Sequence, residues 1–98
     1  MTILKKQDDK TLCLALAGHL DTLSAPQLEA ELKSSLDGAD CLFLDLADLD
    51  YVSSAGLRVL LSAHKRMSCK GGMKVKNVNE VVAEVFAVTG FDGILDIE

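Results

Sequence analysis

Hydrophobic positions along the chain switch between a period of two and a period near four, and the switches mark the elements. Residues 2–6 (Thr-Ile-Leu-Lys-Lys) predict a short strand, and Gln7-Asp8-Asp9-Lys10 predicts a polar turn into a second strand over 11–17, so the two form a hairpin. In that second strand Leu12, Leu14 and Leu16 share one face while the small Cys13, Ala15 and Ala17 share the other. The bulk therefore lies on one side, and the other side permits close packing. Gly18 is expected to end the strand.

A helical period follows. Ser24-Ala-Pro-Gln27 reads as a Ser-x-x-Gln capping pattern, with Pro26 in the first turn where no N–H partner is lost. Leu28, Leu32 and Leu36 recur every four residues with Ala25 one turn earlier, whereas Glu29, Glu31, Lys33 and Ser35 fall off that stripe. The helix thus runs to about Leu36 and buries one face. Asp37-Gly38 stops it, and Cys41-Leu-Phe-Leu-Asp-Leu46 is a nearly unbroken apolar run, the pattern of a central strand covered on both faces.

After a short loop, Leu57, Leu60, Leu61, His64 and Met67 repeat at helical spacing until Gly71-Gly72, and residues 73–78 then alternate as a half-buried strand. Asn79 is placed to cap a third helix with Val82, Val85 and Phe86 inward; Thr89-Gly90 closes it and sets Phe91 against Phe86. Residues 94–97 are a candidate last strand. Strands alternating with helices from residue 12 to 78 require right-handed crossovers. The expected fold is α/β, a mixed, largely parallel four- to five-stranded sheet flanked by helices with an antiparallel first hairpin.

Composition narrows the function. With 98 residues, 1–98 is expected to form a single domain, and 49% hydrophobic residues exclude intrinsic disorder. Lys+Arg 10 against Asp+Glu 15 gives a net charge of -5, which repels phosphate backbones and anionic lipid, so neither nucleic acid nor a membrane surface is an expected partner. Cys13, Cys41 and Cys69 form no Cys-x-x-Cys pair and read as reduced thiols acting as small hydrophobes. No basic, then apolar segment follows Met1, and no apolar run approaches the roughly 20 residues of a membrane span, so the expectation is a soluble, cytoplasmic chain. One Tyr, three Phe and no Trp leave little for stacking bases or sugars, which points to a protein partner.

Enzyme signatures are missing: no Gly-x-Gly-x-x-Gly, no Walker lysine loop, no His-Glu-x-x-His, no metal-spaced Cys/His cluster. Ser54 and His64 do not form a nucleophile–base dyad, because ten residues along one helix span about 15 Å. His64 reads as a core-edge histidine, and His19 carries no signal. Asp45, Asp48 and Asp50 follow the central strand, at the end where open α/β sheets place ligands, but they lack His or Glu companions and read as turn residues. The expectation is a non-enzyme without cofactor or metal.

The informative stretch runs from Asp48 to Arg58, out of the central strand and into the second helix. It sets Ser53 and Ser54 at a helix N-terminus, where free N–H groups and the dipole favour an anion, so a phosphate on either is tolerated without unfolding. Read locally, a serine that merely caps the helix explains the pattern as well. Gly56, lacking a Cβ, lets another chain approach closely.

Val52-Ser-Ser-Ala-Gly-Leu57 resembles the signature of the STAS-domain anti-sigma factor antagonists, usually Asp-Ser-Ser/Thr-Gly-Leu. Gly18-His-Leu-Asp21 resembles the family's Gly-x-Leu-Asp at the end of its second strand, and Thr89-Gly90-Phe91 its Thr/Ser-Gly-Leu near the end. The resemblance spans nearly the whole chain. It implies a phosphorylation-controlled binding switch. The unphosphorylated protein binds a serine kinase that doubles as anti-sigma factor and so frees sigma; phosphorylation inactivates it, and a metal-dependent serine phosphatase resets it. Ser54 aligns with the phosphorylated serine, and Asp21, Ser53, Ala55, Gly56 and Arg58 fall on the implied docking surface. Ser53 stands where the family usually has Asp, which leaves it as the rival acceptor, and Arg58 stands where Gly is common. STAS-like chains also serve as unphosphorylated regulatory subunits of membrane lipid transporters or stress-signalling assemblies, the alternative reading.

Overall fold

The computed structural model describes residues 1–98 as one five-stranded sheet in the order β1-β2-β3-β4-β5. The strands are β1 (Thr2–Asp8), β2 (Thr11–Leu20), β3 (Cys41–Val52), β4 (Met73–Lys76) and β5 (Asp96–Ile97). The helices are α1 (Ala25–Ser35), α2 (Ser54–Met67) and α3 (Glu80–Thr89). Only β1 runs antiparallel, paired from Thr2 opposite Ala17 to Asp8 opposite Thr11 around a turn in which Asp9 takes a φ of 57°. The β2–β3, β3–β4 and β4–β5 pairs are all parallel. The hairpin, the central place of β3 and the parallel sheet all match the sequence expectation.

The spatial order corrects one expectation. Each crossover steps to the next strand in the same direction, so right-handed connections put all three helices on one face of the sheet. Burial agrees: Leu12, Leu14, Leu16, Leu42, Leu44, Leu46, Met73 and Val75 are buried, whereas Cys13, Ala15, Ala17, Cys41, Phe43 and Asp45 are only half-buried. The central strand is therefore covered on one face, not two. On the other face Lys76 Nζ sits 5.4 Å from the centroid of the Phe43 ring, a cation–π contact that shields part of it.

Both long strands outrun their predicted ends. β2 continues through Gly18, at a φ of 98°, as far as Leu20, and β3 continues through the presumed loop to Val52. Between Asp45 and Tyr51 the register slips twice, each time with one extra residue in β3. These bulges stretch the burial spacing to three, so Leu46, Leu49 and Val52 all face the core and the stretch no longer reads as a strand from its period. Carbonyls released there are met by one side chain: Asn79 Nδ2 donates to Leu49 O at 2.5 Å and, more weakly, to Leu46 O at 3.4 Å. The same residue caps α3, its Oδ1 accepting from Val82 N at 3.0 Å.

The helices bury the stripes that the sequence shows. Ala25, Leu28 and Leu32 are buried on α1 and Leu36 just past its end; on α2 Leu57, Leu60 and Met67 are buried together with Ala63, while Leu61 and His64 are half-buried; on α3 Val82 and Phe86 are buried and Val85 is half-buried, and Gly90 ends the helix at a φ of 80°. Two details differ. Ser35, off the predicted stripe, is buried, and its Oγ donates to Glu31 Oε2 at 2.6 Å, which offsets its desolvation. Ser24 is not an N-cap in the Ser-x-x-Gln sense: its hydroxyl makes no bond into α1, and Gln27 Nε2 donates instead to Met1 O at 3.3 Å.

Candidate functional site

The carboxyl ends of β2 and β3 converge on the start of α2. Ser53 N donates to Leu20 O at 2.8 Å, which locks the exit of β3 to the end of β2. Ser53 is then the N-cap: its backbone is extended, its Oγ accepts from Gly56 N at 3.3 Å, and its carbonyl accepts from Leu57 N at 2.9 Å. Ser54, the first helical residue, is exposed, and its hydroxyl makes no hydrogen bond within the chain, whereas Ser53 is half-buried. The capping that local reasoning allowed to either serine belongs to Ser53, and the accessible hydroxyl belongs to Ser54.

Gly56 is buried, and the close approach that it permits comes from within. A Cβ there would lie 2.7 Å from Leu20 Cγ and 2.9 Å from Leu20 O. The expectation that Gly56 makes room for another chain is corrected: its missing side chain lets α2 press against the end of β2. Ala55 is half-buried beside it, and Arg58 is exposed.

Asp21 shapes the facing loop. Its Oδ1 accepts from Leu23 N and Ser24 N, both at 3.0 Å, and its carbonyl accepts from Ala25 N at 2.8 Å. Ser24 turns back onto this loop: its Oγ accepts from Asp21 N at 2.9 Å and shares its proton between His19 O at 2.6 Å and Asp21 Oδ1 at 3.1 Å. The donor from Ser24 N, then the Ser24 hydroxyl and Leu23 N, with His19 nearby, hold the Asp21 carboxyl below its ordinary value against the opposing effect of desolvation. Asp21 thus orders the turn that leads into α1, while Ser24 remains the cap position, its carbonyl accepting from Leu28 N at 3.3 Å.

The structure adds a pair that sequence reasoning passed over. His19 Nδ1 hydrogen-bonds to Asp50 Oδ1, and its ring meets Tyr51 edge-on with centroids 6.2 Å apart. The two partners are 31 residues apart and meet only because β2 lies beside the bulged part of β3, so nothing local signals them. Asp45 accepts from Ala47 N at 3.0 Å, and Asp48 is exposed. Asp45 and Asp50 serve separate partners, and no group of three or more His, Cys, Asp or Glu side chains converges as metal ligands would. The thiols are free: Cys13 and Cys41 are half-buried, Cys69 is exposed, and Cys41 Sγ fills the space over Gly71.

Beside Ser54 the seam between α1 and α2 opens into a cleft of about 250 Å³, lined by Thr22, Pro26 and Glu29 on one side and Ala55, Arg58 and Ser62 on the other. No helix is long and apolar enough to cross a membrane.

Known proteins resemble this chain in sequence and fold. The family profile described as "Mlab, STAS domain" matches residues 3–96. BtrV of Bordetella bronchiseptica, assigned to the anti-sigma factor antagonists, is 37% identical over 99% of this chain and 85% of its own length. The anti-sigma-B factor antagonist of Bacillus subtilis is 32% identical over 94% of this chain and 85% of its own. The crystal structure of an anti-sigma factor antagonist from Mycobacterium paratuberculosis superposes with a TM-score of 0.87 at 23% identity, covering 98% of this chain and 83% of that one, which shows the common fold.

Proposed function

The chain belongs to the STAS-domain family and, within it, to the anti-sigma factor antagonists, and on that premise we propose that it is a cytoplasmic partner switch controlled at Ser54. In this reading the unphosphorylated form docks on a serine kinase that also serves as anti-sigma factor, and sigma is released. The kinase transfers the γ-phosphoryl of ATP to Ser54: the Oγ–P bond forms, the bond to the leaving ADP breaks, and the serine proton is lost to the kinase or solvent. A metal-dependent serine phosphatase hydrolyses the ester and restores the binding form. The chain is a substrate in both steps and catalyses neither.

The observation that carries this reading is the division of labour between the two serines. Ser53 is occupied in capping α2, and the Ser54 hydroxyl is exposed and unengaged. A phosphate there meets the positive end of a fourteen-residue helix and so leaves the fold intact. It adds a charge of about -1.5 to -2 to a chain whose net charge is already -5. The change acts on docking rather than on folding.

The test is phosphorylation by the serine kinase that co-purifies with the tagged chain from its own cells and is then expressed alone. One phosphate is expected on wild type by intact mass, mapped to Ser54, with none on Ser54→Ala. The phosphorylated form is expected to bind the kinase at least tenfold more weakly, with an unchanged circular dichroism spectrum. Incorporation that survives Ser54→Ala and disappears in Ser53→Ala overturns the choice of serine. A chain that is never phosphorylated and is recovered with a permease and its ATPase overturns the switch in favour of a transporter subunit.

A further inference from the structure

The cleft beside Ser54 does not end at Ser62. It continues along the α1–α2 seam into a second hollow of about 130 Å³, which shares Glu29, Val59 and Ser62 with the first and ends at Leu36 and Arg66. Its floor is apolar, built from Ala25, Leu32, Val59 and Ala63. Four charged side chains line its length, and three of them are already paired. Glu29 meets Lys33 at 3.7 Å across one turn of α1, and Arg66 meets Asp37 at 3.6 Å. Arg58 alone has no acidic partner, although it lies in the cleft wall opposite Glu29.

From this unmatched cation above an apolar floor, we propose that the α1–α2 groove is a docking site for an acidic segment of the kinase partner, whose carboxylate pairs with Arg58 while an apolar neighbour settles on Ala25 and Val59. The inference rests on the partner-switch reading and adds to it the contact that gives the switch its leverage. Arg58 lies four residues after Ser54, on the same side of α2, and helical side chains lean toward the N-terminus. A phosphate on Ser54 therefore competes for the guanidinium that the partner needs, as a dianion suited to its planar, bidentate donors. One residue holds the partner in one state and the phosphate in the other. The charge balance points to Arg58 as the anchor: Lys33 and Arg66 each already face a carboxylate, Glu29 and Asp37, and Arg58 faces none.

Two measurements on the full chain test this. In the Ser54-phosphorylated protein, the 31P resonance is titrated in wild type and in Arg58→Gln; the second phosphate pKa is expected to rise in the variant, and equal values overturn the competition. Affinity for the separately expressed serine kinase is then compared by calorimetry for unphosphorylated wild type, Arg58→Lys, Arg58→Ala and Arg58→Glu. Losses of about tenfold for Ala and more for Glu are expected, with Lys retaining most of the binding, because one desolvated charge contact is worth roughly that factor. Unchanged spectra and melting curves exclude misfolding, since Arg58 is exposed. Wild-type binding that is equalled by Arg58→Glu overturns the groove while leaving the switch standing. Absence of kinase binding by wild type overturns both.

Discussion

Gly56 of α2 lies against Leu20 at the end of β2, so closely that a single added methyl group would sit 2.7 Å from the Leu20 side chain and 2.9 Å from its carbonyl oxygen. The obstruction includes backbone, and that backbone is held by Ser53 N at 2.8 Å. Gly56→Ala must push α2 away from the strand. The expected cost is about 1–3 kcal/mol, read as a lower midpoint in urea unfolding. Kinase phosphorylation should slow as well, because the start of α2 moves with the helix.

The adjacent serines give a cleaner separation. Ser53→Ala removes a helix cap, and about 0.5–2 kcal/mol of stability should go with it, while the hydroxyl of Ser54 remains available. Ser54→Ala removes an exposed group that bonds nothing in the chain. Its melting temperature should stay at the wild-type value while phosphate incorporation falls to zero. Paired thermal melts and intact-mass measurements of the two variants check both halves.

Asp21 makes stability depend on acid pH. Its folded-state pKa lies below the ordinary value of 3.8 because Ser24 N, the Ser24 hydroxyl and Leu23 N all donate to the carboxylate. A depressed pKa stabilises the fold fully above the unfolded value, and the contribution is lost as pH falls through the folded one. Asn in its place can accept the same bonds without the charge. Wild type should therefore be more stable than Asp21→Asn near neutrality, and the two urea midpoints should converge below about pH 4. Parallel curves down to pH 3 would show that the carboxylate adds nothing.

Lys70 closes the far end of the α1–α2 layer. Its ammonium donates to Leu36 O at 2.8 Å, which Ala39 N also reaches at 3.1 Å, and to Ala39 O at 3.0 Å, carbonyls of the turn that follows α1. A cation there also opposes the negative end of the helix dipole. Lys70→Met should cost about 1–2 kcal/mol, with faster amide exchange confined to residues 36–41. Loss of kinase binding in this variant would contradict its distance from Ser54 along α2.

Much of the chain was legible because its signals are local. A period of two or four, the Asn79 cap and Gly90 at the end of α3 depend on residues within a turn of one another, and these yielded the element order, the leucine stripes and the parallel sheet. The three short motifs that carry the family resemblance are local in the same way. What the sequence alone did not determine depends on residues brought together from a distance. The two bulges that carry β3 to Val52 exist only against β2, and the bare face of the sheet follows from the order of the strands in space. The Ser24 hydroxyl is drawn away from capping by His19 O and Asp21, His19 finds Asp50 31 residues away, and Gly56 is needed because Leu20 is there. Which serine caps α2 falls in this second class: either residue suits a helix start, and the bond from Ser53 N to Leu20 O fixes Ser53 as the cap and leaves Ser54 exposed.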